Sequence, residues 1–203
     1  MSTANVNSPS FWNLKYINNE HGWDIGKATP IFKNWSSKLK SPENINICIP
    51  GCGYGHDAIY LANAGFNVYA FDFSKDAINN LNSRITSGIF LKTYCVDFFK
   101  ISNDFHNQFD FILEYTFYCA ISPSRRLEYV NKCHGLLKEK GKLISIMLPV
   151  DNNTRLDGPP FQVTKDEITL NFDKKFNILK IEKSKLSIKP RKDIELYVEY
   201  EKK

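Results

Sequence analysis

PGCGYGHDAIYLANAGFNVYAFDFS, residues 50–74, is the stretch from which the fold is read. It closes a short apolar run, INICIP (45–50), with a glycine-rich turn, Gly51-Cys52-Gly53-Tyr54-Gly55. HDAIYLANAG (56–65) then has helical spacing and stops at Gly65. FNVYAFD (66–72) reads as a strand, and Ser74 stands where an N-cap for KDAINNLNSRI belongs. Strand, turn, helix and strand in that order make a parallel pair, because parallel neighbours need a crossover between them.

The rhythm continues downstream. IFLKTYCVD (89–97) and FDFILEYTF (109–117) read as the third and fourth strands, SRRLEYVNKCHGLLKEKG (124–141) as a helix ending at a glycine, and KLISIMLPV (142–150) as the fifth strand. VTKDEITLNF (163–172) reads as a helix with Thr164 at its N-cap. FNILKIEKSKLSI (176–188) and KDIELYVEYEK (192–202) alternate with period two, and the short link Lys189–Arg191 predicts that they pair as a hairpin. Upstream, PSFWNLKYINNE (9–20) puts Phe11, Trp12, Tyr16 and Ile17 on one helical face, GWDIG (22–26) makes a turn, and residues 30–40 form a second helix opened by Pro30. The expected architecture is an α/β, doubly wound, mostly parallel seven-stranded sheet, Rossmann-like, with an antiparallel terminal strand. It is expected as one domain over 1–203, with an N-terminal helical lid at 1–40 and the core at 41–203.

Composition sets the outer limits. The chain has 203 residues, 42% of them apolar and 14% aromatic, enough to bury a core and too aromatic for a disordered protein. No apolar run is long enough to span a bilayer, and the N-terminus lacks the pattern of a signal peptide, so a cytoplasmic protein is expected. The net charge of +5 is spread too thinly to predict a nucleic-acid surface. Five scattered cysteines have no zinc spacing and read as small buried hydrophobes in a reducing compartment, and no metal is expected. A monomer is the default, with neither nucleic acid nor membrane as partner.

Ligands of such sheets collect at the carboxyl ends of the strands. The turn at 51–55 is spaced G-x-G-x-G, unlike the dinucleotide pattern G-x-G-x-x-G, and its glycines allow positive φ and close backbone approach. Asp72 ends the second strand, where a carboxylate can accept from a ribose diol. Asp97 ends the third, followed by Phe98: an acid for adenine's amine and an aromatic to cover its ring. The three strand ends together describe an adenosine site with no phosphate-binding lysine.

These motifs resemble class I S-adenosylmethionine-dependent methyltransferases. GWDIGKATP, the 50–74 stretch, LEYTFYCAISPSRR and GPPF resemble, more narrowly, the thiopurine S-methyltransferase superfamily and, within it, the halide/thiol methyltransferase branch. The resemblance implies S-adenosyl-L-methionine as cofactor and a small-molecule acceptor. It implies that Trp12, Tyr16 and Trp23 close over the methionine part of the cofactor, that Gly51 and Gly53 meet it with their backbone, that Asp72 holds the ribose, and that Asp97 and Phe98 hold the adenine. Tyr115 would lie beside both cofactor and acceptor, and Arg126 would be the substrate-side arginine, with Arg125 its neighbour in sequence. Gly158-Pro159-Pro160-Phe161 would be a rigid loop beside the acceptor. Tyr16 departs from the family pattern, which suggests Trp, and Pro50 stands where many methyltransferases carry an acid.

The residues add a chemical argument. An aromatic wall stabilises a sulfonium by roughly 0.5–2 kcal/mol. Displacement at the methyl carbon requires alignment and dryness, and a soft anionic nucleophile needs no base. No dedicated base stands out: His56 and Asp57 read as cap and dipole partner of their helix, His21, His106 and His134 as structural or exposed, and Asp24 either contacts the cofactor or caps its turn. The expected reaction is methylation of a small soft nucleophile: a thiol, thiopurine, halide, thiocyanate, or selenium or tellurium species. The alternatives are a nucleic-acid or other amino or hydroxyl methyltransferase, disfavoured because no -PP[FY] follows the fourth strand, and a non-catalytic cofactor-binding protein.

Overall fold

Polar caps and glycine turns cut this chain into short elements, and each element has one apolar face to bury. The computed structural model describes residues 5–150 and 158–203, so the first four residues of the expected lid lie outside the described residues. The chain falls into two compact units, Met1–Ile101 and Ser102–Lys203.

The first unit begins with α1 (Pro9–Ile17), capped by Ser8, and α2 (Pro30–Ser36), with Pro30 in its first turn. β1 (Asn46–Pro50), α3 (His56–Asn63), β2 (Asn67–Asp72), α4 (Lys75–Ser83) and β3 (Leu91–Cys95) follow. β2 lies between β1 and β3 and parallel to both, with Pro50 opposite Phe71 and Asp72 opposite Cys95. That register brings the carboxyl ends of all three strands to one edge. α3 buries Ala58, Leu61 and Ala62, and α4 buries Ala77, Ile78 and Leu81. Each of the larger side chains contributes about 1.5–3 kcal/mol by leaving water. Ser74 caps α4 as expected, its Oγ accepting from the Ala77 amide at 3.3 Å.

The second unit holds β4 (Phe109–Tyr115), α5 (Arg126–Leu136), β5 (Leu137–Met147), α6 (Lys165–Phe172), β6 (Phe176–Glu182) and β7 (Leu196–Lys202). β4 and β5 are parallel, and β7 runs antiparallel between β5 and β6. Thr164 caps α6, its Oγ1 accepting from Glu167 N at 3.1 Å. Phe172, at the end of α6, stacks on Tyr200 of β7 at 4.3 Å, both fully buried. The orders β3-β2-β1 and β4-β5-β7-β6 make up a seven-stranded, mostly parallel sheet of the Rossmann-like kind. Among the described residues no helix is long and apolar enough to cross a membrane.

Three expectations about extent are corrected. Ile17 does not share the buried face of Tyr16: it is 64% exposed, because one further residue turns a helix by about 100°. The helix expected to reach Gly141 ends at Leu136, and β5 starts at once. Gly141 serves an irregular stretch of that strand, where a Cβ would stand 2.8 Å from the Lys138 carbonyl oxygen. The final hairpin pairs as predicted, but its strands are shorter and residues 183–195 connect them. Alternation across 183–195 looked like strand, but the exposed Lys183, Lys185 and Leu186 offer no face to bury, while Arg191 and Glu195 turn inward.

Candidate active site

The glycine turn follows β1 with Gly51, Gly53 and Gly55 all at positive φ, +56°, +53° and +71°. Gly53 is needed for a second reason. A Cβ there would lie 3.0 Å from the hydroxyl oxygen of Tyr16, so α1 is seated directly on the turn. Asp72, at the end of β2, ties the same turn down. Its Oδ2 accepts from Gly53 N and its Oδ1 from Ser74 N, both at 2.9 Å. Burial pushes its carboxyl up, and the amides of Ser74, Gly53 and Phe73 pull the other way. A carboxylate has about four acceptor sites, so capacity for a ribose hydroxyl is retained. The Ser74 hydroxyl donates to Asn13 Oδ1 at 2.6 Å, which fastens α1 to the start of α4.

Asp97 caps the short 3-10 turn Phe98–Lys100, its Oδ1 accepting from Phe99 N at 3.0 Å. Phe98 is buried and packs edge-on against Phe99 at 5.8 Å. Trp12, Tyr16 and Trp23 meet in one cluster. The Trp12 and Trp23 rings are 5.3 Å apart, and those of Tyr16 and Trp23 5.5 Å apart, both edge to face. The Trp12 indole donates to Val6 O at 2.8 Å, and the Trp23 indole hydrogen-bonds the Tyr16 phenol. Burial and the Asp72 charge keep the Tyr16 proton on.

Two members of this cluster were missed in the sequence. Tyr54 packs against Tyr16 at 5.0 Å, and His21 stacks on Tyr16 at 5.8 Å with its Nδ1 buried and without a hydrogen-bond partner among the described residues. Tyr54 had a usable signal, its place inside the glycine turn. His21 had none, because a loop histidine has no periodicity. Asp24 caps its turn, accepting from Gly26 N at 2.7 Å, and stands 3.2 Å from His56 Nε2. Asp57 accepts from Thr29 N and Oγ1 at 2.6 and 2.8 Å, and burial pushes its carboxyl up to about 6.

In the second unit, β4 ends in Glu114 and Tyr115. Glu114 is fully buried, accepts from Phe117 N, Tyr118 N and the Ser145 hydroxyl, and is pushed up to about 8 by burial. Tyr115 donates to Glu195 Oε2 at 3.0 Å. Arg126 is 2% exposed. One terminal nitrogen reaches both Glu167 oxygens at 2.7 Å and Gln162 O at 3.0 Å, and the other reaches Phe161 O at 3.3 Å. Its guanidinium also lies 4.8 Å from the Tyr118 ring centre. The arginine therefore holds the loop that GPPF begins. Arg125, its neighbour, pairs with Glu128 at the surface. Tyr118 is 1% exposed and donates to Glu167.

The first unit fits S-adenosylmethionine: a glycine turn whose cradle a Cβ would fill, a carboxylate at each of the next two strand ends, and aromatic rings for a positive sulfur. Fold and site define a methyltransferase dependent on that cofactor. Comparison with known proteins narrows the class. The thiopurine S-methyltransferase (TPMT) family matches residues 7–200, and the chain belongs to that family. It is 31% identical over 199 residues to an Arabidopsis thaliana protein named "Probable thiol methyltransferase 2", covering 93% of this chain and 83% of that one. It is 31% identical over 178 residues to Thiocyanate methyltransferase 1 of the same plant, covering 84% and 74%. In structure it is similar to the Burkholderia thailandensis 1,6-didemethyltoxoflavin-N1-methyltransferase, solved with S-adenosylhomocysteine, with a TM-score of 0.75, 17% identity and coverage of 96% and 86%.

Proposed function

We propose that this enzyme methylates a small soft nucleophile, on sulfur in the first instance, by in-line displacement. The observation that carries the reading is the aromatic cluster of Trp12, Tyr16 and Trp23 seated on the Gly51–Gly55 turn. S-adenosylmethionine brings a methyl group on a positively charged sulfur. Trp12, Tyr16 and Trp23 stabilise that charge and keep water out. Gly51 and Gly53 let the backbone approach, Asp72 accepts from the ribose, and Asp97 and Phe98 take the adenine. Tyr115 faces the acceptor. Arg126 serves the acceptor through the loop whose carbonyls it holds, by orienting that loop.

The names of the relatives, thiol and thiocyanate methyltransferases, support a soft acceptor. Its further parts are a lid over residues 1–40, a monomer as the working form, and a cytoplasmic location, the last supported by cysteines that form no disulfide among the described residues. The test is release of S-adenosylhomocysteine from purified protein with hydrosulfide, an alkyl thiol, a mercaptopurine, iodide, thiocyanate and selenite in turn. Turnover on the sulfur acceptors is expected. Silence across the panel with cofactor bound would exclude the proposed chemistry.

A further inference from the structure

The connection before β7 was absent from the sequence-based picture of the site, yet it holds Tyr115 from two sides. The Tyr115 phenol donates to Glu195 Oε2 at 3.0 Å, and the Arg191 guanidinium lies 4.8 Å from the ring centre and hydrogen-bonds the phenol. Glu195 is 1% exposed, its other oxygen, Oε1, makes no close hydrogen bond among the described residues, and the Ser187 hydroxyl beside it draws its carboxyl down only in part. Burying a carboxylate with so few hydrogen bonds costs stability. Stability alone therefore does not account for a carboxylate here. The groups facing it are Tyr115 from β4 and Arg191 and Ser187 from the connection itself. Burial raises its carboxyl, which makes it a better proton acceptor than an exposed glutamate.

We propose that Glu195, acting through Tyr115, takes the proton from a thiol acceptor, so that this enzyme handles neutral thiols as well as ready-made anions. The inference rests on the soft-nucleophile reading above. In the step, the acceptor's S–H bond breaks and its electron pair stays on sulfur. The proton goes to the Tyr115 phenol oxygen as the phenol's own proton passes to Glu195 Oε2. The carboxylate becomes a carboxylic acid, the thiol a thiolate, and Arg191 beside Tyr115 balances the new anion. No other reactant is consumed. Tyr115 touches the acceptor in this scheme, and Glu195 is a positioning residue and terminal proton acceptor.

A thiol with a pKa near 8.5 is only about 3% ionised at pH 7. Losing the acceptor should therefore slow it by about 10–30-fold there, while an acceptor that carries no proton has nothing to lose by that route. The experiment compares wild type, Glu195→Gln and Tyr115→Phe on an alkyl thiol and on thiocyanate from pH 6 to pH 10. The expected result is a thiol-to-thiocyanate rate ratio about 10–30-fold lower in both variants at pH 7, recovering as pH passes the thiol's own pKa. A second readout needs no turnover: with S-adenosylhomocysteine present at pH 7, wild type should raise the thiolate absorbance of an added alkyl thiol above its level with Glu195→Gln. Equal losses on both acceptors at every pH, or equal thiolate absorbance in the two proteins, would overturn the proposal. Failure of wild type on every soft acceptor would instead bring down the reading beneath it.

Discussion

Asp72→Asn separates two duties that one carboxylate performs. In the wild type both oxygens accept backbone N–H bonds, from Gly53 and Ser74, each at 2.9 Å. Asparagine offers one oxygen and one NH2, so one of these amides then faces a donor. A hydrogen bond to a charged group is worth about 1.5–3 kcal/mol, and the stranded amide adds to the loss. The variant should lose roughly 2–3 kcal/mol of stability, a drop in Tm of about 4–12 °C for a chain of this size. The cofactor loses a charge-assisted bond at the ribose, which weakens its binding by about 10–150-fold. Urea unfolding and calorimetric titration with S-adenosylhomocysteine measure the two effects separately. A folded Asp72→Asn protein that binds the cofactor within twofold of wild type would refute the ribose assignment. A full loss of binding with stability unchanged would refute the tie to the glycine turn.

Gly55→Ala should destabilise the fold by about 1–3 kcal/mol in urea, because the residue sits at φ +71° and its Cβ would collide with the methyl groups of Leu81. For Glu114, with its carboxyl raised from 4.5 to about 8, the folded protein holds a proton that the unfolded chain has released between pH 5 and 8. Stability should therefore fall as pH rises through that window, by a few kcal/mol in order of magnitude. Glu114→Gln can accept from both amides and donate to Ser145, so urea midpoints against pH should show this slope flattened. Arg126→Ala strands Glu167 and two carbonyls; a stability loss of about 2–4 kcal/mol and a raised Michaelis constant for the acceptor are expected, and an unmoved Michaelis constant would remove its role at the acceptor. Limited proteolysis should cut within residues 1–35 more slowly when S-adenosylhomocysteine is present, since Asn13 and Tyr16 seat α1 on the cofactor end.

The strands and caps of the first unit were readable because each signal is local. Ser74 caps where a short polar side chain precedes an apolar run, and the Gly51–Gly55 turn separates a strand from a helix without ambiguity. Asp72 and Asp97 were found at strand ends for the same reason. The second unit was harder. Gly141 looked like a helix stop, although the chain had already changed period at Leu137. Residues 183–195 alternate like a strand, and only tertiary packing reveals that Arg191 and Glu195 are drawn inward by Tyr115. Arg126 was placed near the acceptor from its segment, but nothing local announces that Glu167, 41 positions away, neutralises it. Long-range ion pairs and loop histidines such as His21 leave no periodic trace.

The chemistry itself is best tested by following the methyl group. Isotopically labelled S-adenosylmethionine would be incubated with the protein and an alkyl thiol, and the product identified by mass spectrometry. The account predicts label in the S-methyl thioether, formed in step with S-adenosylhomocysteine. Label on nitrogen or oxygen of another acceptor, with no thioether from any thiol supplied, would contradict it.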